Sequence, residues 1–482
     1  MRGIQPNAAP WRDPWIAAAL FAALALRLAM AQGGLWLDEA WSVVMAHDVR
    51  TPLGVLLGIN HDNNHLLNSW WLQLVGIGAP PWLARLLSIV CSVATIVPAA
   101  AFAARRDRWA GRAAAFLFAL SPMLVLLGSE ARGYAPALLA IVLLIEQVDP
   151  RRGGPPPSTT SLALIGLFGT LGHLLMVPAV ILVGGWLWLA KPDWRAALRA
   201  VAPALAAAVG VVAVLLGAAY AIKGGLTLGA SSPFSWPGFG AALAEMALLT
   251  LGAAGPLVLL ALVIGPPPDR SDLALLLALG LGLPLAAASL QLPNSQISRY
   301  FILSSLALLW LTADRAAALL HGKSWQRAVA VLLLGAILLS MSIADARLIG
   351  AARGEPDLPV RRVVADQRGS TAMRPTRILI AADPLSAVIR VAAAKQQVPV
   401  SAVGPACVPA DYLLAGLFDP NPALTVDHCG MRWLLVDHRL PLYRDGTGWV
   451  LYRRAGLASS PLNRRAGLPA PGPIASGPRP AL

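Results

Sequence analysis

Apolar residues run along this chain in long blocks, without the alternation of half-buried strands or the single stripe of a surface helix. Eleven such runs fall near 14–33, 82–104, 109–128, 131–148, 159–174, 175–190, 199–221, 239–265, 272–291, 298–315 and 327–348. Several exceed the ~18 residues that read as a membrane span. The fifth and sixth are short and share one apolar block. The pattern predicts a mainly α, polytopic transmembrane bundle of about 11 spans over residues 1–348. Residues 33–81, between the first two runs, are too polar to span and too apolar for disorder, and read as a first loop with amphipathic helices. After residue 348 the period changes. RILIAAD (377–383), RWLLVD (432–437) and GWVLYR (448–453) read as strands, and PLSAVIRVAAAK (384–395) as a helix opened by proline. Residues 349–457 are therefore expected to form a small α/β domain, and the Pro/Gly/Ala-rich residues 458–482 a disordered tail.

Composition agrees with the pattern. The 482 residues are 57% hydrophobic and 13% charged, where a soluble chain carries about a quarter charged. The N-terminal MRGIQPNAAPWR is basic like a signal peptide, but the apolar run behind it is long and lacks a small-residue cleavage site, so it reads as a retained first span. The net charge of +14 suggests nucleic acid only until the arginines are placed. They lie in short loops and a tail, so topology explains them and no nucleic-acid partner is implied. Putting Arg2, Arg12, Arg105, Arg106, Arg108, Arg151, Arg152, Lys191, Arg195, Arg199, Arg270, Arg315, Lys323 and Arg327 inside makes the N-terminus cytoplasmic. An odd number of spans then leaves residues 349–482 extracytoplasmic, in a multi-pass protein of a bacterial inner (plasma) membrane. Cys91 lies in a span and reads as packing. Cys407 and Cys429 are open to either a disulfide or two thiols.

With this topology the polar residues gather on the outer side. Asp38 and Glu39, HDNNH (61–65), EARGY (130–134), Lys223 and QISRY (296–300) all fall at outer span ends or in outer loops. The inner loops offer basic and proline runs such as RRGGPPP (151–157) and no comparable constellation. Ionisable groups near membrane depth are costly and are functional candidates by default.

The stretch RLAMAQGGLWLDEAWS, from Arg27 to Ser42, resembles the first-loop signature of GT-C-fold glycosyltransferases of the family 39-like group, which includes protein O-mannosyltransferases and aminoarabinose transferases. HDNNHLLNSW (61–70), SEARGY (129–134) and SRYF (298–301) resemble, in order, the later motifs of that group. The resemblance implies a sugar donor on a polyprenyl phosphate, an envelope acceptor (lipid, glycan or protein) and transfer at the extracytoplasmic face, in contact with membrane lipids.

A phosphate leaves as an anion without a general acid, so one carboxylate base suffices. The motif position assigns that base to Asp38, with Glu39 binding acceptor or sugar, or orienting Asp38. Arg132, Arg299 and Lys223 are the candidate phosphate ligands, with Tyr134 and Tyr300 as hydrogen-bond partners. Arg27, His61, Asn64, His65 and Glu130 complete the candidate substrate site. His61 and His65, at i and i+4, suit either a divalent metal or loop hydrogen bonding; no cofactor is otherwise implied. Asp38 and Glu39 also fit a helix N-terminus, and the arginines interfacial anchors. A polysaccharide ligase is the alternative enzyme. A transporter or flippase is disfavoured because the polar residues do not sit on broken helices at the midplane.

Overall fold

The computed structural model describes residues 12–59, 64–153, 155–225, 232–352, 358–367, 376–380, 385–397, 400–403, 407–417, 421–439 and 448–456. The predicted tail, 458–482, and His61 lie outside them. The chain divides into two compact units, Met1–Glu355 and Pro356–Leu482.

In the first unit each apolar run becomes a helix or a broken pair: α1 (Pro14–Met30), α4 (Leu86–Ala104), α5 and α6 (Arg108–Leu120, Pro122–Gly128), α7 (Tyr134–Val148), α8 (Thr159–Gly172), α9 (Met176–Ala190), α10 (Trp194–Lys223), α11 and α12 (Trp236–Leu251, Leu257–Ile264), α13 (Arg270–Ser289, with a π-helical stretch at Leu276–Leu281), α14 (Ile302–Leu320) and α15 (Ser324–Ala352). The first loop holds α2 (Leu37–Asp48) and α3 (Leu66–Val75). Five described helices are long and apolar enough to cross a membrane, and α5 with α6 makes a sixth if the bent pair counts as one. The remaining apolar helices are 10–17 residues long. Lipid-facing helices associate through close packing, because burial in protein is no more apolar than burial in lipid. Small residues supply the approach here: a Cβ on Gly111 of α5 would lie 2.6 Å from the Ala104 Cβ at the end of α4.

The break between α5 and α6, a bend of 57°, aims the chain at the SEARGY turn. Pro122 has no N–H for the carbonyl of Phe118, and Ser121 leaves helical geometry (ψ 118°). Freed carbonyls in a membrane core need partners. Arg27 supplies them, donating to the carbonyls of Phe118 (3.2 Å), Ala119 (2.8 Å) and Ala23 (3.3 Å) and to Ser92 Oγ (2.7 Å). The resemblance implied a substrate contact for Arg27. Its guanidinium is instead 0% exposed and occupied by these protein acceptors, so the geometry makes it a clamp on the helix break.

The opposite helix ends correct a second expectation. Arg105, Arg106, Arg151 and Arg315 interlock there with Glu146, Asp149, Asp272 and Asp314. The contacts include Arg105–Asp149 (3.1 Å), Arg106–Asp314 (3.3 Å), Arg151–Asp149 (3.0 Å), Arg315–Asp314 (2.6 Å), and the Arg105–Glu146 and Arg106–Asp272 pairs. The loops expected to be cytoplasmic thus do carry a constellation. Its charges balance internally, which suits a structural tie between α4, α7, α13 and α14.

The second unit is a mixed six-stranded sheet of order β2-β1-β3-β6-β5-β4, from β1 (Thr376–Ile380), β2 (Val400–Val403), β3 (Tyr412–Leu417), β4 (Thr425–His428), β5 (Met431–Arg439) and β6 (Gly448–Arg454). β2, β1 and β3 run parallel, and β3, β6, β5 and β4 antiparallel. Helices α16 (Leu358–Gln367) and α17 (Leu385–Gln396) pack over Ile378, Ile380, Leu414 and Leu451. Cys407 and Cys429 are disulfide-bonded.

Replacing Arg27 with Met leaves the Phe118 and Ala119 carbonyls buried and unpaired, at about 1–3 kcal/mol each. The expected outcome is a clear fall in the melting temperature of the detergent-purified protein. Ser92→Ala, which removes one of the four acceptors, should cost far less.

Candidate active site

The site is built on the first turn of α2. Trp36 precedes that helix, and its N–H donates to Glu39 Oε2 (3.0 Å), closing the turn from inside. Glu39 Oε2 also accepts from Arg85 Nη2 (2.6 Å). Its Oε1 accepts from Arg85 Nε (2.8 Å) and from the N–H of Ala131 (2.6 Å). Glu39 is 0% exposed, and its oxygens hold four hydrogen bonds. Arg85 in turn donates to the carbonyls of Ala31 (3.0 Å), Gly33 (2.7 Å) and Gly34 (2.9 Å). This pair therefore joins the end of α1, the start of α2, the start of α4 and the SEARGY turn.

Asp38, one residue earlier, points elsewhere. Its side chain is 29% exposed. Oδ2 is ion-paired with Arg132 and lies 3.2 Å from Arg299 Nη2, while Oδ1 accepts no hydrogen bond from a described residue. Arg132 comes from the turn before α7, and Arg299 from a 3₁₀ turn, Ser298–Phe301, that opens α14. Both guanidiniums lie over the ring of Trp36, at 5.7 and 5.4 Å from its centroid. A position 261 residues along the chain is thus brought to Asp38.

The SEARGY turn is pressed against its surroundings. A Cβ on Gly133 would lie 1.8 Å from the Gly172 carbonyl oxygen and 2.5 Å from the His65 Cβ, so only glycine lets the turn reach α8. Tyr134 stacks on His173 (centroids 4.5 Å apart) and lies beneath Arg132 (5.5 Å). Tyr300, half-buried beside Arg299, couples electrostatically to Tyr134, Arg132 and Asp38. Glu130 is buried, and its Oε2 has no hydrogen-bond partner among the described residues. Burial pushes its carboxyl up to about 7, against the pull of Arg299 and Arg132.

Asn64 is half-buried; its carbonyl accepts from the N–H of Leu174 (3.2 Å). His65 is buried between Ser42 Oγ (3.4 Å from Nε2) and Ser69 Oγ (3.3 Å from Nδ1). Burial first, and then Arg132, lower it to about 4. Both its ring nitrogens thus face hydroxyls, and no cluster of three metal-binding side chains occurs among the described residues. Lys223 is the last residue of α10; its side chain lies outside the described ones.

Three contributors lay outside the candidate site drawn from the sequence. Arg85 stands at the start of an apolar run, a signal identical to that of an interfacial anchor. Asn68, in α3, donates to the Ala131 carbonyl (2.6 Å). His173 follows α8 as its C-cap, at the end of an apolar run where a lone histidine reads as packing, hydrogen bonding or cavity lining.

No protein-family profile matches the sequence, and no curated protein does either. Among solved structures the chain is similar to ArnT from Cupriavidus metallidurans in the apo state, at 13% identity over 92% of this chain and 97% of that one, with a TM-score of 0.51. It is also similar to the archaeal oligosaccharyltransferase AglB from Archaeoglobus fulgidus in complex with an inhibitory peptide and a dolichol-phosphate (11%, 84% and 70%, 0.48). A third is the arabinofuranosyltransferase AftD from Mycobacteria (17%, 91% and 40%, 0.47). The likeness to ArnT establishes a shared, GT-C-like fold.

Two outcomes follow from the site's electrostatics. Glu39→Ala strands Arg85 as a buried, unpaired charge and should cost about 3–5 kcal/mol, whereas Asp38→Asn should leave thermal stability nearly unchanged. Thermal unfolding of both variants makes the comparison. Glu130, held protonated to about 7 in the fold and to its ordinary 4.5 when unfolded, binds more protons folded than unfolded across that interval. Its contribution to stability therefore falls as pH rises from about 4.5 to about 7 and is flat above. Melting temperatures measured from pH 4.5 to 8 should show this decline in the wild type relative to Glu130→Gln.

Proposed function

We propose that the chain is an integral-membrane glycosyltransferase moving a sugar from a polyprenyl-phosphate donor to a hydroxyl of an envelope lipid, glycan or protein at the extracytoplasmic face. One observation carries the reading. A half-exposed carboxylate with one free oxygen stands against two arginines that make no bond to a main-chain carbonyl among the described residues. The GT-C-like fold and the ordered motifs around Asp38, Arg132 and Arg299 support it.

The arrangement performs the reaction as follows. The acceptor oxygen attacks the anomeric carbon opposite the phosphate, and its proton passes to Asp38 Oδ1. The carbon–oxygen bond to phosphate breaks, and the polyprenyl phosphate leaves with the electron pair, so the sugar carbon inverts. Arg132 and Arg299 take up the charge that grows on the departing phosphate. A phosphate between them competes with Asp38 for the same guanidiniums and frees the carboxylate for the proton. Tyr134 and Tyr300 flank the phosphate as hydrogen-bond donors, and Lys223 is a further candidate cation. Glu39 is a positioning residue: it holds the turn from which Asp38 projects. Residues 1–348 form the catalytic part in this reading. The Cys407–Cys429 disulfide supports an oxidising, extracytoplasmic setting for residues 349–457.

Asp38→Asn is expected to lower transfer by roughly 100- to 10,000-fold. The measurement is transfer of a labelled sugar from a polyprenyl-phosphate donor to an envelope extract, with the melting temperature as a control for folding. Full activity in the variant removes Asp38 as the base.

A further inference from the structure

Beside the Asp38 pair, four side chains more than nine-tenths buried each keep a polar atom without a hydrogen-bond partner among the described residues. Ser129 (Oγ) stands in the turn itself, and the other three are Glu130 (Oε2), Asn68 (Oδ1) and His173 (Nε2). A native interior holds few such atoms, and each calls for an explanation. These three lie around one turn of chain. Asn68 donates its Nδ2 to the carbonyl of Ala131, the residue between Glu130 and Arg132, and this bond fixes which end of its amide is free. His173 stacks on Tyr134, four residues after Glu130. Its Nδ1 accepts the N–H of Leu175 (3.0 Å), so the neutral ring carries its proton on Nε2. A fourth enclosed oxygen, Asn64 Oδ1, belongs to the residue whose carbonyl takes the N–H of Leu174, next to His173.

We infer that Glu130, Asn68 and His173, with Asn64 at their edge, form the subsite that reads the transferred sugar, and that it takes a sugar rich in hydrogen-bond donors and without a carboxylate. Above about pH 7, where Glu130 is ionised, its carboxylate and the two amide oxygens are acceptors, which suit ligand O–H or N–H groups; His173 and the Ser129 hydroxyl offer donors. Charge points the same way. Arg85 is neutralised by Glu39, so Arg132 and Arg299 are the cations facing Asp38 among the described side chains. One phosphate occupies them both. A uronic acid's carboxylate would then meet Glu130 with no cation to pair it, and buried acceptors left facing an acceptor reject a ligand strongly.

The inference rests on the lipid-phosphate donor reading, and the experiment separates the two. The full chain in nanodiscs is titrated with bare polyprenyl phosphate and with polyprenyl phosphate carrying a neutral hexose, an aminopentose or a hexuronate. At least one of the first two donors is expected to bind more tightly than bare lipid, and the hexuronate no more tightly. Glu130→Leu and Asn68→Leu should each weaken the preferred donor by roughly 10- to 100-fold and leave bare lipid unchanged. Glu130→Gln, which keeps an acceptor, should recover most of the loss. Equal weakening of bare lipid and donor, or tightest binding by the hexuronate, overturns the subsite. Failure of every lipid to bind the wild type overturns the donor reading itself.

Discussion

Glu39 and Arg85 are buried together where water cannot reach, and each would be intolerable there without the other. Removing two charges from water costs several kcal/mol per ion, which attraction offsets only when geometry is good and the remaining donors and acceptors are matched. Here they are. Glu39 takes both arms of Arg85 along with the N–H groups of Trp36 and Ala131, and Arg85 takes three carbonyls from the turn at 31–34. Such a pair admits little displacement of any segment it touches. Because Glu39 is locked, the adjacent residue on the same helical turn projects about 100° around α2 and reaches the opposite environment. Two consecutive acids thus acquire unlike roles: one is sealed and saturated, the other half-open with a free oxygen.

The two ends of the bundle use the same residue types to different effect. At the end built on Arg105 and Arg315 four arginines meet four carboxylates, and the charge of that cluster is zero. At the Asp38 end, once Arg85 and Glu39 cancel, Asp38 faces two guanidiniums alone, with Glu130 as a carboxyl that burial favours in its neutral form. That leaves one uncompensated positive charge beside Asp38. The formal +14 of the chain says nothing of this. What matters is local balance, and the Asp38 end is the one left incomplete.

Much of this was legible before the fold was known. Long apolar runs specify membrane helices because lipid admits hardly any other backbone, and all eleven runs became helices. Asp38, Arg132 and Arg299 stood out because charge at membrane depth is rare. Their convergence was not legible from spacing, since 261 positions separate Asp38 from Arg299. Strands β2, β3 and β4 were missed for ordinary reasons: VSAV is only four residues long, YLLAGL is a short apolar run with no strand-specific period, and TVDH is polar and edge-like. The α5–α6 break was signalled by Ser121-Pro122, but a proline within an apolar run does not say which side chain will satisfy the carbonyls it frees.

That last point separates the arginines by role. Arg27 binds three main-chain carbonyls, Arg85 three, and Arg105 and Arg315 at least one each. Each stands where the chain breaks or turns and would otherwise leave acceptors bare in a medium without water. Arg106 and Arg151 meet carboxylates, but in a cluster whose charges match one for one; Arg132 and Arg299 bind no main-chain carbonyl among the described residues and share the single carboxylate of Asp38. They meet carboxylate and aromatic faces, and each keeps an unpaired Nε. A guanidinium is a rigid fork of five donors. When carbonyls fill it, the arginine is part of the scaffold, and no ligand can take its place without breaking the backbone it supports. When its partner is one half-exposed carboxylate, an incoming anion can exchange with that carboxylate without disturbing the backbone. The distinction depends on where the backbone opens, which is a property of the fold, and it assigns Arg27 to the scaffold although its motif placed it with the substrate.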